Sequence, residues 1–147
     1  MGTFTVKVIV GNPLDPSKAA TAECLVDTGA AYSQIPSDVL ESLGISPFDE
    51  RPAILAVGRR TFCRVGRADF LHDGRQTPAL VVFGERGNPA LLGAMTLEGL
   101  GLGVDPIGKR LMPVDIPMAT RPLSPRPPLQ RAPDHTRRQS YCLGNHP

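Results

Sequence analysis

The sequence predicts a mostly β domain of closed or sandwich type, and three observations support this prediction. The chain has 147 residues with 15 glycines and 16 prolines, which favours short strands and turns over long helices. Tryptophan is absent and aromatic residues make up only 5% of the chain, so the core must consist mainly of Val, Leu, Ile and Ala. Short apolar runs rich in β-branched residues recur between turn signals, as they do in β proteins.

The first part of the chain is predicted to contain three strands. Residues 3–10 alternate in polarity and are rich in Val, Ile and Thr, which is typical of a strand. Residues 20–26 form a second apolar run that leads directly into Asp27. Residues 32–35 are a short third strand. Asp27 is therefore expected at the end of a buried strand, where the chain must turn.

A short helix is predicted after the third strand. It covers residues 39–43, where Ser37 is a plausible N-cap and Gly44 a plausible C-terminal stop. A second helix of one or two turns is predicted over residues 94–100. The fold class is accordingly a small, mostly β domain with one or two short helices.

Two hairpins are predicted in the middle of the chain. The first is centred on Gly58, between the apolar runs 53–57 and 61–65. The second turns at Asp73-Gly74, because Asp-Gly between two strand-like runs is the strongest short-range hairpin signal. The later residues predict a short buried strand at 90–93 and a last pair of strands, 102–104 and 110–114.

The pattern of apolar residues stops near residue 117, which divides the chain into a predicted domain, 1–116, and a tail, 117–147. Seven of the 16 prolines lie in this tail. Such a segment buries too little apolar surface to offset the entropy of ordering it, so it is predicted to be disordered or loosely docked. Its Pro-rich stretch 122–128 could also adopt polyproline II and bind a partner.

Charge and cysteine content exclude several classes of function. The net charge is +2, but the tail has five arginines against Asp134, so the remaining 116 residues are net negative and give no case for nucleic-acid binding. The three cysteines are far apart and lack Cys-x-x-Cys spacing, so neither a disulfide scaffold nor a zinc site is expected. We expect no cofactor, no membrane-spanning segment and no signal peptide, and therefore a reducing cytoplasmic location.

The sequence Leu25-Val26-Asp27-Thr28-Gly29-Ala30 is the strongest candidate for chemistry. An acid follows an apolar strand, and the glycine after it allows a sharp turn and close approach of another backbone. Such a loop can hold a carboxylate rigidly in a mostly apolar site. The same three residues, Asp-Thr-Gly, are also ordinary turn chemistry, so the motif alone leaves both interpretations open.

The order of further elements resembles the retropepsin-like aspartic proteases, the superfamily of the retroviral proteases and their small cellular and bacterial relatives. Ile35-Pro36 follows the Asp-Thr-Gly-Ala segment, a flap-like hairpin is centred near Gly58, and Leu91-Leu92-Gly93 precedes a short helix and a last hairpin. The resemblance covers about residues 3–115 and is closest to the bacterial single-domain branch. It implies a small, closed, β-barrel-like acid protease fold.

The resemblance implies a homodimeric aspartic endopeptidase that cleaves extended peptide segments. Two adjacent carboxylates cannot both ionise easily, so they share a proton, and one activates water while the other protonates the carbonyl oxygen. The chain has one Asp-Thr-Gly, so two chains must each contribute Asp27 at a two-fold axis. By analogy with the family, Thr28 bonds across the axis and Gly29 exposes backbone groups to the substrate.

Ala30, Val57, Gly58 and Arg59 are the expected substrate-binding residues. The hairpin around Gly58 would close over the peptide as a flap, although a plain surface hairpin, whose arginines keep the tip soluble, fits the same residues. The retroviral enzymes have two acids where this chain has Ala31-Tyr32.

The retroviral enzymes also have an Arg where this chain has Ala94. In those enzymes this Arg pairs with the first of the two acids, so the joint loss of both partners leaves no buried charge unpaired.

Two other classes of function remain open from the sequence. One is a non-catalytic dimerisation or peptide-binding module with this fold, which an intact Asp-Thr-Gly argues against. The other is a protein whose basic tail recruits a partner.

Overall fold

The structure, a computed structural model, describes residues 3–119. Nearly all of the predicted tail, 117–147, lies outside the described residues, so its disorder and the boundary after residue 116 stay predictions. The described residues form nine strands and two short helices in the order β1 Thr5–Asn12, β2 Asp15–Val26, β3 Ser33–Pro36, α1 Ser37–Ser42, β4 Asp49–Ile54, β5 Arg60–His72, β6 Arg75–Gly84, β7 Ala90–Leu92, α2 Ala94–Leu100, β8 Leu102–Asp105 and β9 Arg110–Pro113.

Six of these strands form a closed ring. Successive neighbours are β1, β2, β7, β3, β6 and β5, and β5 pairs in turn with β1 through residues 69–71. Strand β4 extends the ring by pairing with β5, and β8 pairs with β9 in a separate two-stranded sheet. The predicted mostly β fold class with two short helices is confirmed.

Alternation along the strands builds the interior of the ring. Val8 and Val10 of β1 point inward and are almost fully buried, as are alternate residues of β5 and β6 such as Phe70 and Val81. Apart from Phe70 and Phe83, the large buried side chains are aliphatic, as the scarcity of aromatic residues predicts. This aliphatic core is the support on which β2, β7 and β3 bring the Asp27 loop into place.

The ends of α1 differ in part from the prediction. Pro36 occupies the N-cap position and no side chain caps the helix, whereas Ser37 is the first helical residue and is buried. The prediction of Ser37 as N-cap is therefore wrong: Pro36 takes that position, and the helix begins at Ser37, two residues before the predicted start at residue 39. Gly44 adopts a positive φ of 73° directly after the helix, as expected of a glycine that terminates it.

Candidate active site

Asp27 lies directly after β2, at the junction of three strands. Strand β7 runs between β2 and β3, parallel to the first and antiparallel to the second, so that Leu25, Leu91 and Gln34 lie side by side. The Asp27 backbone N–H donates to the carbonyl of Leu92 at 3.1 Å, which extends the β2–β7 ladder by one residue. Asp27 is half-buried, so its carboxylate is held at a set depth yet reaches the surface.

The loop after Asp27 is a tight turn closed by its own carboxylate. One carboxylate oxygen, Oδ1, accepts the Gly29 N–H at 3.0 Å, and the Asp27 carbonyl accepts the Ala30 N–H at 3.3 Å. A Cβ on residue 29 would lie 3.2 Å from that same oxygen, so glycine allows the close approach. The turn interpretation is thus correct, and it does not exclude the catalytic one, since Oδ2 is not used by the turn.

The loop is attached to the β7–α2 junction by further backbone hydrogen bonds. The N–H of Ala94 donates to Ala30 at 2.8 Å and the N–H of Met95 donates to Ala31 at 3.0 Å. Residue 93 must be glycine for the Asp27 loop to pack against this junction, because a Cβ at that position would lie 2.5 Å from the Tyr32 carbonyl carbon. The motif Leu91-Leu92-Gly93 therefore matters because it lets the Asp27 loop pack directly on its backbone.

A buried pair of hydroxyl groups completes this attachment. Ser33 and Thr96 are fully buried, and their hydroxyl oxygens are 2.6 Å apart. The Ser33 hydroxyl also accepts the Gly93 N–H at 2.9 Å. Burying polar groups is costly unless they are paired, and here each satisfies the other while linking the strand after the Asp27 loop to helix α2.

The hairpin of β4 and β5 has a different character. Its tip is closed by two backbone bonds, from Leu55 to Arg59 and from Gly58 to Leu55, and Gly58 has a positive φ of 81°. Val57 is 85% exposed and Phe62 is 68% exposed. The predicted hairpin centred on Gly58 is confirmed, and it presents apolar side chains to solvent.

A hydrogen bond connects the base of this hairpin to the Asp27 loop. Arg51 of β4 donates to the hydroxyl of Tyr32 at 3.2 Å, and it forms an ion pair with Asp49 at 2.8 Å. The Arg51 hydrogen bond, together with the Glu50 N–H, lowers the pKa of Asp49 below its ordinary value. Tyr32 therefore links the end of the Asp27 loop to strand β4 of the hairpin.

A cleft of about 630 Å³ separates the hairpin from the β6–β7 turn. Its hairpin wall includes Leu55 and Arg59, and its floor includes Gln34 of β3. Gln34 belongs to β3, the strand that follows the Asp27 loop, and it lies two strands from Leu25 in the sheet.

The structure divides the predicted site residues into two groups. Asp27, Thr28, Gly29 and Ala30 share one loop, and Val57, Gly58 and Arg59 share the hairpin turn. Within the second group, Arg59 lines the cleft.

Sequence reasoning missed several residues that support or line the site. They are Ser33, Thr96, Arg51, Gln34 and Arg64. The available signal for Ser33 was its position two residues before buried Ile35, which places a polar side chain on the inward face of a strand.

Two foamy virus proteins are among the solved structures that are similar to this chain. The solution structure of Simian Foamy Virus (mac) protease matches with a TM-score of 0.48 and 18% identity, over 65% of this chain and 92% of that one. The crystal structure of Prototype Foamy Virus protease-reverse transcriptase matches with a TM-score of 0.45 and 15% identity, over 76% of this chain and 12% of that one. This chain thus spans a small part of the second protein.

No family model and no curated protein matches the sequence. Among residues 3–119, no helix has the length and apolar character needed to cross a membrane.

Proposed function

We propose that the protein is a homodimeric aspartic endopeptidase that hydrolyses peptide bonds in extended segments. The observation that carries the proposal is the Asp27 loop, which is anchored by backbone bonds to Leu92, Ala94 and Met95 and leaves one carboxylate oxygen out of the turn. An acid held this rigidly at the surface of a β domain is suited to position a nucleophilic water.

The mechanism needs a second carboxylate, which the partner chain supplies. Two Asp27 side chains brought together share one proton, because two adjacent negative charges are unfavourable. The ionised carboxylate takes a proton from water, which attacks the peptide carbonyl carbon, while the protonated one donates to the carbonyl oxygen. The C–N bond then breaks as the nitrogen takes the proton from the first carboxyl group, and the second carboxylate takes a proton back from the intermediate, which restores the one-proton pair. Activity is therefore expected at acidic to mildly acidic pH.

Two features of the surface support dimerisation. Thr28 and Gly29 are exposed although they adjoin the anchored carboxylate, as expected of residues that meet a partner. In addition, Met112, Val114 and Ile116 alternate along the chain and are 44%, 45% and 69% exposed. An apolar surface left in solvent along β9 and the residues after it favours association with another copy.

The hairpin and the cleft are proposed to hold the substrate. Val57 and Gly58 at the tip would close over the peptide and exclude water, and Arg59 would line the channel. The hydrogen bond between Arg51 and Tyr32 would transmit the hairpin position to the Asp27 loop. The cytoplasmic location predicted from the scattered cysteines remains part of this proposal.

The test is cleavage of reduced, unfolded casein from pH 3.5 to 7 by wild type, Asp27→Asn and Asp38→Asn. Asp38 is an exposed aspartate on α1, so it is a matched control for loss of one carboxylate. We expect wild type and Asp38→Asn to cleave casein, and we expect the cleavage rate of Asp27→Asn to be lower by about a thousandfold or more. Equal cleavage by all three would mean that Asp27 is not catalytic.

The dimer is tested by dilution. Because the site exists only in the assembled state, activity per chain should fall as the protein is diluted through dimer dissociation. Sedimentation over the same concentrations gives the dissociation constant independently. Constant activity per chain across that range contradicts a shared site, and a stable dimer that cleaves nothing favours the non-catalytic binding module.

A further inference from the structure

The cleft lined by Gln34 forms where the β4–β5 hairpin separates from the rest of the ring. Strands β5 and β6 are paired only as far as Val65 and Val82. Beyond that point residues 60–64 of β5 pair with β4 alone among the described strands. The opposite edge of this part of β5 faces the β6–β7 turn across the cleft.

The lining of this cleft is rich in arginine. Arg59 and Arg64 on the hairpin side and Arg86 on the β6–β7 turn line it, against one acid, Glu85. Arg86 is partly neutralised by Glu41, 3.6 Å away. The remaining lining charge is therefore positive.

Arg64 is held in place by an aromatic ring. Its guanidinium carbon lies 5.1 Å from the centroid of the Phe83 ring, and Phe83 is itself buried. Glu50 faces Arg64 across the β4–β5 ladder, but the ion pairs formed by the described residues do not include it. A stacked guanidinium keeps its in-plane N–H donors available, and their fork matches a carboxylate.

The separation between Asp27 and the cleft is short enough for one extended peptide to reach both. Gln34, on the cleft floor, lies two strands from Leu25, which is roughly 10 Å at the usual strand spacing. An extended peptide advances about 3.3 Å per residue. Asp27 follows Leu25 by two residues, so Gln34 is roughly 12 Å from Asp27, and the cleft is within about four substrate residues of the bond at Asp27.

We propose that this cleft is a subsite for an acidic side chain of the peptide substrate, in which Arg64, assisted by Arg59, binds the carboxylate. The proposal rests on the proposed function, because it takes the peptide to be the ligand. It adds the substrate class: extended segments with Glu or Asp within about four residues of the cleaved bond.

Binding to Asp27→Asn tests the subsite without requiring catalysis. The probes are fluorescein-labelled ten-residue peptides of Ala, Val and Leu, in which a single Glu is moved along the chain, each with a matched Gln peptide. Fluorescence anisotropy gives their affinities at low and high salt. At one or two positions the Glu peptide should bind about fivefold more tightly than its Gln partner, and added salt should reduce the ratio.

A second arginine in the same strand is the matched control. Arg67 stacks on Phe48 at 4.9 Å much as Arg64 stacks on Phe83, but it does not line this cleft. In the Asp27→Asn background, Arg64→Gln should bring the Glu-to-Gln ratio close to one, whereas Arg67→Gln should keep it. Equal ratios in the two variants, or no position at which Glu is favoured, would overturn the subsite.

The outcome is separable from that of the proposed function. If the Glu preference depends on Arg64 but wild type cleaves none of the bound peptides, the subsite stands and the endopeptidase proposal fails. If wild type cleaves peptides through Asp27 with no preference for Glu at any position, the endopeptidase proposal stands and the acidic subsite is wrong.

Discussion

The Asp27 loop and the hairpin tip are both connections between strands, yet they are held in opposite ways. The loop is tied by backbone bonds to β7 and α2, by the buried hydroxyls of Ser33 and Thr96, and by contact with Gly93. Among residues 3–119, the hairpin tip makes backbone hydrogen bonds only within itself, and a Cβ added at Gly58 would meet no atom within 4 Å.

This difference shows how one small domain separates two requirements of peptide hydrolysis. A catalytic carboxylate must be placed within a fraction of an ångström, which calls for many mutually supporting contacts. A segment that closes over a substrate must open at low energetic cost, which calls for few contacts. Substitutions of residues that support the Asp27 loop should therefore lower the stability of the protein. Substitutions in the hairpin tip should instead weaken substrate binding.

The largest expected effect is that of Gly93→Ala. A Cβ would lie 2.5 Å from a backbone carbon of Tyr32, and neither backbone can move without breaking the bonds around the loop. We expect a loss of about 3 kcal/mol or more in the free energy of unfolding, measured by urea denaturation, together with loss of casein cleavage.

Gly11→Ala is the control for this substitution. Gly11 lies in β1, and the nearest atoms to an added Cβ are 3.8 Å away, which is ordinary contact. Its stability should change by less than about 1 kcal/mol. A Gly93→Ala protein as stable as Gly11→Ala would show that the close packing of loop and β7–α2 junction is not rigid.

The sequence predicted the positions of these two regions better than their support. Asp27 at a strand end, the hairpin around Gly58 and Leu91-Leu92-Gly93 are local patterns, and the structure has them where they were expected. The partners of Ser33 and Arg51 are 63 and 19 residues away along the chain. Local propensity and periodicity carry no information about such pairs, which arise only when the ring of strands closes.

The cleft was beyond prediction for a related reason. Arg59 was proposed from its place in the hairpin tip, but Arg64 lies further along the same hairpin, and Gln34 and Arg86 come from two other parts of the chain. Their proximity depends on where β5 stops pairing with β6. The prediction of Ser37 as N-cap was wrong for a local reason, since Pro36 and Ser37 both fit the start of a helix by sequence alone.

The next largest effect is expected at the buried hydroxyl pair. Ser33→Ala removes the acceptor of the Gly93 N–H and the partner of Thr96, and leaves two buried polar groups unpaired. We expect a cost of about 2 kcal/mol in unfolding free energy and a fall in kcat with little change in KM, because the carboxylate loses its alignment.

A double-mutant cycle sharpens this prediction. Thr96→Val leaves Ser33 without its hydroxyl partner, and the double variant should cost less than the sum of the single ones, since the second change removes a group already unpaired. Ser42→Ala is the control: its hydroxyl bonds to the Val39 carbonyl at an exposed site. Strict additivity would contradict a coupled pair.

Substitutions at the hairpin tip should leave stability nearly unchanged and alter substrate binding. Val57→Ser affects a side chain that is 85% exposed, so unfolding free energy should change by less than about 0.5 kcal/mol. KM should rise severalfold, because an apolar contact to the bound peptide is lost. Ile107→Ser, at a residue 94% exposed in the β8–β9 turn, should change neither quantity. A flap role is contradicted if both variants have the wild-type KM.

The smallest effect concerns two thiols, one in each environment. Cys24 of β2 is buried in the core, and burial raises its pKa to about 12, whereas Cys63 of β5 is partly exposed in the cleft wall. With Cys142 replaced by Ser, iodoacetamide at pH 8 should modify Cys63 first and leave Cys24 protected until the protein unfolds, as read by peptide mass mapping. The pKa of Cys24 in the folded protein lies above its ordinary value of 9.0. The stability that comes from burying the neutral Cys24 thiol is therefore fully present below pH 9.0 and declines as the pH rises from 9.0 toward about 12. Equal modification rates for the two thiols would mean that the wall of the ring beneath the Asp27 loop opens as readily as the hairpin, which would remove the contrast between the two regions.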